Sequence, residues 1–587
     1  MRIAIGERAA LPAWLGRAGQ SPLTWVLVVA FVLHTTGIGW GLPGSDGWDD
    51  DGIAPRDFLV GTYMTYWRSH YFTYPPVHLV LLTILTLPVT IAGLARAASW
   101  TQQDVVAELI RVPYMTTFAV VARLVTGAMA IGIVCVVARI GEALWGRRAG
   151  IWAAAVVALN VVFTYYAHTS NLDVPYLFWT LLALLSLVRT ILRHDPKYLR
   201  HFAFLCVLAI GTKDQAYAVF LLSFPVVIVH WLVADPWART NRGAILRELV
   251  IAAFGGIVFL GIVDGALINP SGFIERVRFL TGPASQDHAT YAPSWAGRVC
   301  VLVDTVRNFG RYYPLALAPL VGYGVYLHFV RTRRDPARAV AGLLPLFASV
   351  SFALAFNCVA RRTDHRFLLP QSLFVGLYAG LAFDSLTSCA GEGSRSKRAS
   401  RVRTLAWLTA TMLGGRALFE CVGVDVALLR DPRYEAEAWL ARHVHSGEVI
   451  EVYGNNVYLP RLPSGASVIR LDTSPMAGRS LMPGMEEIEQ PYDLVERRRP
   501  DWIVFSEGWV WRYTSAPPDP ASSRTLAPVQ VALQNDVASR AYFASLFAGR
   551  GAYTEVHVAR YDDRFWPRVA IHASTTRSIY IFRRARR

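Results

Sequence analysis

"ARLVTGAMAIGIVCVVARIGEALWGRRAGIWAAAVVALN", residues 122–160, decides the class of fold. Two apolar runs flank a short basic turn, "GRRAG" (146–150). As a helix, an apolar run of about 18 or more residues is long enough to cross a hydrocarbon core. Such runs recur from residue 23 to residue 422 of the 587. Within lipid, helices are the plausible way to satisfy so many backbone groups. The chain therefore reads as a polytopic α-helical membrane protein, with only 17% charged residues. From about 423 the composition becomes mixed and turn-rich, with β-like runs such as "EVIEVYG" (448–454) and "DWIVFSEG" (501–508). Residues 423–587 read as a separate α/β domain, long enough to bury its own core.

The net charge of +16 does not point to nucleic acid. The basic residues fall mostly in short loops between apolar runs, which is the pattern of topology signals. All six cysteines lie in the membrane part and none forms a CxxC pair, so there is no zinc or redox motif. The basic N-terminus, residues 1–22, leads into a long span with no A-x-A-type site and reads as a cytoplasmic, uncleaved anchor.

The basic loops set the orientation. "GRRAG", "RHDPKYLR" (193–200), "WARTNRGAILR" (237–247), "RTRRDPAR" (331–338) and "GSRSKRASRVR" (393–403) are placed in the cytoplasm by the positive-inside bias. The segment "PPVHLVLLTILTLPVTIAGLA" (75–95) is long enough to span, but a crossing there would move every later basic loop outside. It is therefore expected to be re-entrant or interfacial, within one outer loop from 42 to 112. The expectation is about eleven crossings in 23–422, with the first loop and the tail both outside.

The outer connections concentrate polar residues, and these are costly at membrane depth and tend to be functional. "GSDGWDDDGIAPRD" (44–57) places Asp49, Asp50 and Asp51 directly after the first span. Clustered like charges repel unless a cation, proton or substrate needs them. Tyr74, Asp173, Lys213, His288, Arg361, Arg362, His365 and Arg366 complete the outer set. Lys213 is one of only three lysines in the chain. An arginine cluster outside defies the positive-inside bias and asks for an anionic partner. Each residue also has an ordinary reading. Asp50 and Asp51 suit a solvated turn, Asp173 suits a helix start, and Lys213 can snorkel to the interface. His288 reads most simply as a loop histidine. Shared side and order, more than any single residue, point to a polar, anionic substrate carried on a lipid.

The order of features resembles the GT-C superfamily of membrane glycosyltransferases. The likeness is to the bacterial protein O-mannosyltransferases and to the transferases that put aminoarabinose on lipid A. In that family an acidic pair follows the first span, matched here by "DDDGI" (49–53), and an aromatic-Pro-Pro stretch comes next, matched by "HYFTYPPVHLVLL" (70–82). A span opening "AR" and closing on "GRRAG" follows, then an outer Asp in "AHTSNLDVPYLFW" (167–179) and a TK in "IGTKDQAYA" (210–218). A late "RY-L-P" motif is matched by "DHRFLLPQSLFVGLYAG" (364–380), with Phe367 where Tyr is common. In the tail, "DPRYEAEAWLARHVHSGEVIEVYGN" (431–455) and "PDWIVFSEGWVWRY" (500–513) are similar to segments of the family's periplasmic domain.

The resemblance implies a GT-C fold with interfacial helices in the first outer loop, and an enzyme that takes sugar from a polyprenyl-phosphate carrier. The acceptor would be a hydroxyl on a protein, lipid or glycan at the outer face. Asp50 is the first choice for the catalytic base, with Asp49 or Asp51 as alternatives if the register slips by one. Asp173 would orient the acceptor or share that role. Lys213 and Arg366 would hold the donor phosphate, and the "YPPVHLVLLTILTL" segment would line a groove for the prenyl tail. Tyr74, His288, Arg362 and His365 are further candidates for substrate binding. No cofactor is certain. Should Asp49, Asp50 and Asp51 hold a metal, three acids without His or Cys favour a hard divalent ion such as Mg²⁺ or Mn²⁺. The rival class is a transporter or flippase for a lipid-linked or anionic solute. It is expected to show repeated halves and midplane charges, and no repeat is visible here.

Overall fold

The computed structural model describes residues 21–44, 47–49, 51–67, 73–282, 286, 288–388, 397–472, 484–516, 524–528, 531–532, 535–569 and 571–585. Six helices among them are long and apolar enough to cross a membrane, and nine crossings result if each of three bent helix pairs is one span. Two shorter apolar helices, Pro22–Thr35 and Tyr198–Ile210, accompany them. The stretch 122–160 folds as its composition dictates. Helix Val112–Trp145 has 34 residues, about 51 Å at 1.5 Å per residue, and turns back at once into Arg147–Ala158. Gly146 makes the reversal at φ +103°, a backbone conformation open to glycine and strained for other residues. Gly150 lets the two helices touch, because a Cβ there would lie 2.3 Å from the Ala138 carbonyl oxygen.

The expected first outer loop, residues 42–112, contains helices Asp57–Trp67, Val77–Leu85, Leu87–Leu94 and Gln102–Leu109. The 75–95 segment forms the second and third of these, bent by 63° between them. Two further bends shape the outer face. Arg147–Ala158 and Val161–Ala167 meet at 70°, where Asn160 caps the second helix by accepting from the Phe163 N–H at 2.9 Å. Trp295–Arg311 and Leu315–Thr332 meet at 108°.

Helix Lys397–Leu429 carries the chain past residue 423, and Pro432–His443 follows it directly. The tail then forms one six-stranded sheet of order β3-β2-β1-β4-β6-β5. Its strands are β1 (Val449–Tyr453), β2 (Ser467–Asp472), β3 (Met485–Glu489), β4 (Trp502–Ser506), β5 (Tyr553–Ala559) and β6 (Ile579–Arg584). β3, β2, β1 and β4 are parallel, and β6 pairs antiparallel with both β4 and β5. Every residue of β4, "WIVFS", is buried, as expected of a strand covered on both faces. Helix Pro432–His443 packs on one face through Ala436 and Leu440. Helices Glu507–Thr514 and Val537–Phe547 cover the other through Trp509, Tyr513 and Phe543.

The tail is joined to the first outer loop by a buried polar clamp. Arg433 binds Asp431 through Nε at 2.8 Å and Nη2 at 2.7 Å, and its guanidinium lies 4.0 Å from the Trp48 ring centroid. Trp40 Nε1 donates to Asp431 at 3.3 Å, the Tyr434 hydroxyl accepts from the Gly41 N–H at 2.9 Å, and Arg461 donates to the Pro43 carbonyl at 2.7 Å. The tail thus holds both ends of the segment that leads into the acidic run.

Candidate active site

The turn after Trp48 sends neighbouring acids in opposite directions. The Gly52 N–H donates to the Asp49 carbonyl at 3.3 Å. A Cβ on Gly52 would lie 2.6 Å from Asp49 Cβ and 2.7 Å from Ser170 Oγ, so only glycine fits. Asp51 takes a left-handed φ of +49°, which Asp tolerates better than most residues. Asp49 faces inward. It pairs with fully buried Arg123 and accepts from the Ser170 N–H at 2.6 Å. The remaining Arg123 donors reach the Ile38 and Trp40 carbonyls at 2.8 and 2.6 Å. Asp51 faces outward and pairs with Arg366. Asp50 lies outside the described residues.

A second acid–base pair lies at the start of helix Asp173–Arg193. Asp173 is fully buried and accepts from Lys213 Nζ at 2.7 Å and from Gln215 Nε2 at 3.3 Å. Among the described residues its other oxygen has no hydrogen-bond partner. Lys213 sits between helix Tyr198–Ile210 and the 3₁₀ turn Asp214–Ala216. The "YPP" segment braces that turn, since the Val77 N–H donates to the Gly211 carbonyl at 2.7 Å. Burial pulls the Lys213 pKa below its ordinary value, while Asp173 acts in the opposite sense.

Phe367 connects the two pairs. Lys213 Nζ, the Arg362 guanidinium and the Arg366 guanidinium lie 5.6, 4.5 and 4.7 Å from its ring centroid, within cation–π range. Above it opens a cavity of about 790 Å³. From the membrane domain Asp51, Arg311, Arg362, His365 and Arg366 line it, and from the tail Tyr458, Arg568, His572 and Arg577. Asp51 also lines a smaller cavity of about 240 Å³, shared with Asp49, Asp57, Asn456 and Arg470.

Among the residues singled out in the sequence, Asp51, Arg362, His365 and Arg366 thus share one cavity. Asp173 and Lys213 form an adjoining buried pair, connected to it through Phe367. Tyr74 packs against the apolar cluster around Phe58, Leu79 and Phe118, and His288 is exposed away from the cavity lining. Of the three consecutive acids, Asp49 and Asp51 are each engaged by a guanidinium, and Asp50 lies outside the described residues. Among the described residues no group of three His, Cys, Asp or Glu is arranged to hold a metal ion. Sequence reasoning missed Arg123, Gln215, Arg311 and the tail arginines. Arg123 had a signal, as the basic residue of the "AR" that opens its span; the tail arginines had none.

The whole is a bundle of apolar helices with a cavity of paired acids and bases under an α/β domain. Residues 111–262, which include Asp173 and Lys213, match the family model of dolichyl-phosphate-mannose-protein mannosyltransferases. The chain extends beyond that match on both sides. It is similar in structure to ArnT from Cupriavidus metallidurans in the apo state (15% identity, 97% of this chain and 98% of that one, TM-score 0.48). It is also similar to ArnT bound to undecaprenyl phosphate (16% identity, TM-score 0.46, the same coverage). A third likeness is to the Archaeoglobus fulgidus oligosaccharyltransferase in complex with Zn and sulfate (9% identity, 96% and 88% coverage, TM-score 0.46). Among curated proteins, none matches the chain.

Proposed function

We propose that the enzyme moves a sugar from a polyprenyl-phosphate carrier to an acceptor hydroxyl at the extracytoplasmic face. The single observation that carries this reading is the meeting of Asp51–Arg366 and Asp173–Lys213 around Phe367. That arrangement puts carboxylates for proton removal beside fixed cations for a leaving phosphate. The family description, which names a dolichyl-phosphate mannose donor, supports the same donor class. Glycosyl transfer displaces the carrier phosphate from the anomeric carbon, and negative charge grows on that phosphate as the bond breaks. Arg366 is placed to meet it with a bidentate fork, and Lys213 with a desolvated ammonium. Such pre-set charges commonly make the largest contribution to rate.

Asp50, next to Asp51 in the sequence, is the proposed base. Asp51 and Asp173 hold and orient the cations and the acceptor. The "VHLVLLTILTL" helices expose Ile84, Leu85, Leu87 and Ile91, an apolar face for the prenyl chain. With the first loop and the tail outside, as the positive-inside bias expects, the cavity would lie at the periplasmic membrane surface. Transfer from purified polyprenyl-phosphate sugars by wild type and by Asp50→Asn tests the reading. Loss of about 10²–10⁴-fold is expected for a general base, and equal transfer by both forms removes the assignment. Solute flux across vesicles with no glycosidic bond formed would make the protein a transporter.

A further inference from the structure

One wall of the large cavity comes from the tail, and its chemistry is one-sided. Residues 568–569 and 571–577 form it, and Arg568 and Arg577 line the cavity together with Arg311 of the membrane domain. The wall is firmly built. His572 stacks on Tyr165 at 6.3 Å and 6°, and His365 meets the Ile571 carbonyl. Thr575 Oγ1 donates to the His572 carbonyl at 2.8 Å. Behind it Gly508 allows close packing, for a Cβ there would lie 2.2 Å from the Ala573 carbonyl oxygen.

The cavity's charges are unevenly matched. Arg362 and Arg366 are paired with Asp364, at 2.9 Å, and with Asp51, which line the cavity themselves. Among the described residues Arg568 and Arg577 reach only Asp563 and Glu507, at 3.7 and 3.8 Å and outside the lining. Arg311 has no carboxylate at ion-pair distance among the described residues, and donates instead to His365 Nε2. The described carboxylates that line the cavity, Asp51, Asp304 and Asp364, thus form no ion pair with these three guanidiniums.

We propose that Arg568 and Arg577, with Arg311, recognise an anionic group on the acceptor, a phosphate or a carboxylate beside the hydroxyl that receives the sugar. This rests on the glycosyltransferase reading above and adds to it a second anion subsite, distinct from the cations assigned to the donor. Guanidinium forks suit it because they bind planar or tetrahedral oxyanions through two parallel N–H groups.

The test uses the full-length protein in nanodiscs, with undecaprenyl phosphate saturating the donor side and inorganic pyrophosphate titrated as the anion. Wild type is expected to bind pyrophosphate. In the R568Q/R577Q double variant that affinity should fall by about 10-fold or more, while undecaprenyl phosphate affinity stays within about twofold of wild type. An R568K/R577K variant keeps the charge and should recover part of the loss. No pyrophosphate binding by wild type, unchanged binding by R568Q/R577Q, or equal loss of both ligands without recovery in the lysine variant would each overturn the proposal. Should undecaprenyl phosphate bind no form, the donor reading fails by itself, and pyrophosphate titrated alone still decides the fate of the wall.

Discussion

Asp49 and Asp51 stand two residues apart and each holds an arginine, yet the two regions they serve behave oppositely. The Asp49–Arg123 pair is sealed, with side chains 2% and 0% exposed, whereas the Asp51 side chain is 40% exposed on the cavity. Sealed charges have given up their hydration, so their attraction serves mainly to make removal of one partner costly. An open pair contributes little to stability, but its members remain available to exchange one another for a substrate. The difference between a strut and a working group lies in solvent access rather than in residue type.

The largest effect should come from breaking the sealed pair. Arg123→Ala leaves Asp49 buried without a counter-charge and is expected to destabilise the protein by about 3–5 kcal/mol. Thermal unfolding in detergent would read this, and a melting temperature equal to wild type would remove the distinction between the two regions. Next comes Lys213→Met, which takes away a cation proposed to meet the leaving phosphate. Transfer should fall by about 10²–10³-fold, with undecaprenyl phosphate binding weakened in parallel. Asp51→Asn sharpens the contrast from the other side. Transfer should drop by about 10²-fold while stability changes by no more than about 1 kcal/mol. A large loss of stability with transfer intact would reverse the roles assigned to the two acids.

The smallest effect is a shift in pH response. Burial lowers the Lys213 pKa, so as pH rises its charge is lost earlier than that of an ordinary lysine near about 10.4. Activity should therefore decline on the alkaline side below that pH. Lys213→Arg keeps its charge there and should move the decline upward. A pH–rate profile identical to wild type would show that Lys213 does not carry the alkaline limb.

Much of this site was legible in the linear sequence, and what was not has a physical explanation. Asp173, Lys213 and Arg366 stood out as polar groups next to apolar runs. They are separated by 40 to 193 positions, and the structure brings them to Phe367. The three consecutive acids looked equivalent, because composition says nothing of which way a turn points its side chains. Gly52 and its contact with Ser170 decide that, and the contact spans 118 positions. Tyr74 and His288 were also candidates, but the first packs against an apolar cluster and the second is exposed and not among the residues that line the cavity.

The apolar runs, the basic turns between them and the change in composition near 423 by themselves determined a polytopic helical protein with an α/β tail. Those features follow from hydropathy and backbone satisfaction, which act locally and need no partner. Only the tertiary structure decided that the tail walls the cavity with Arg568 and Arg577, that Asp49 is a buried strut, and that Asp51 is not. Burial and charge pairing depend on atoms brought together from distant parts of the chain, and no local pattern of residues encodes them.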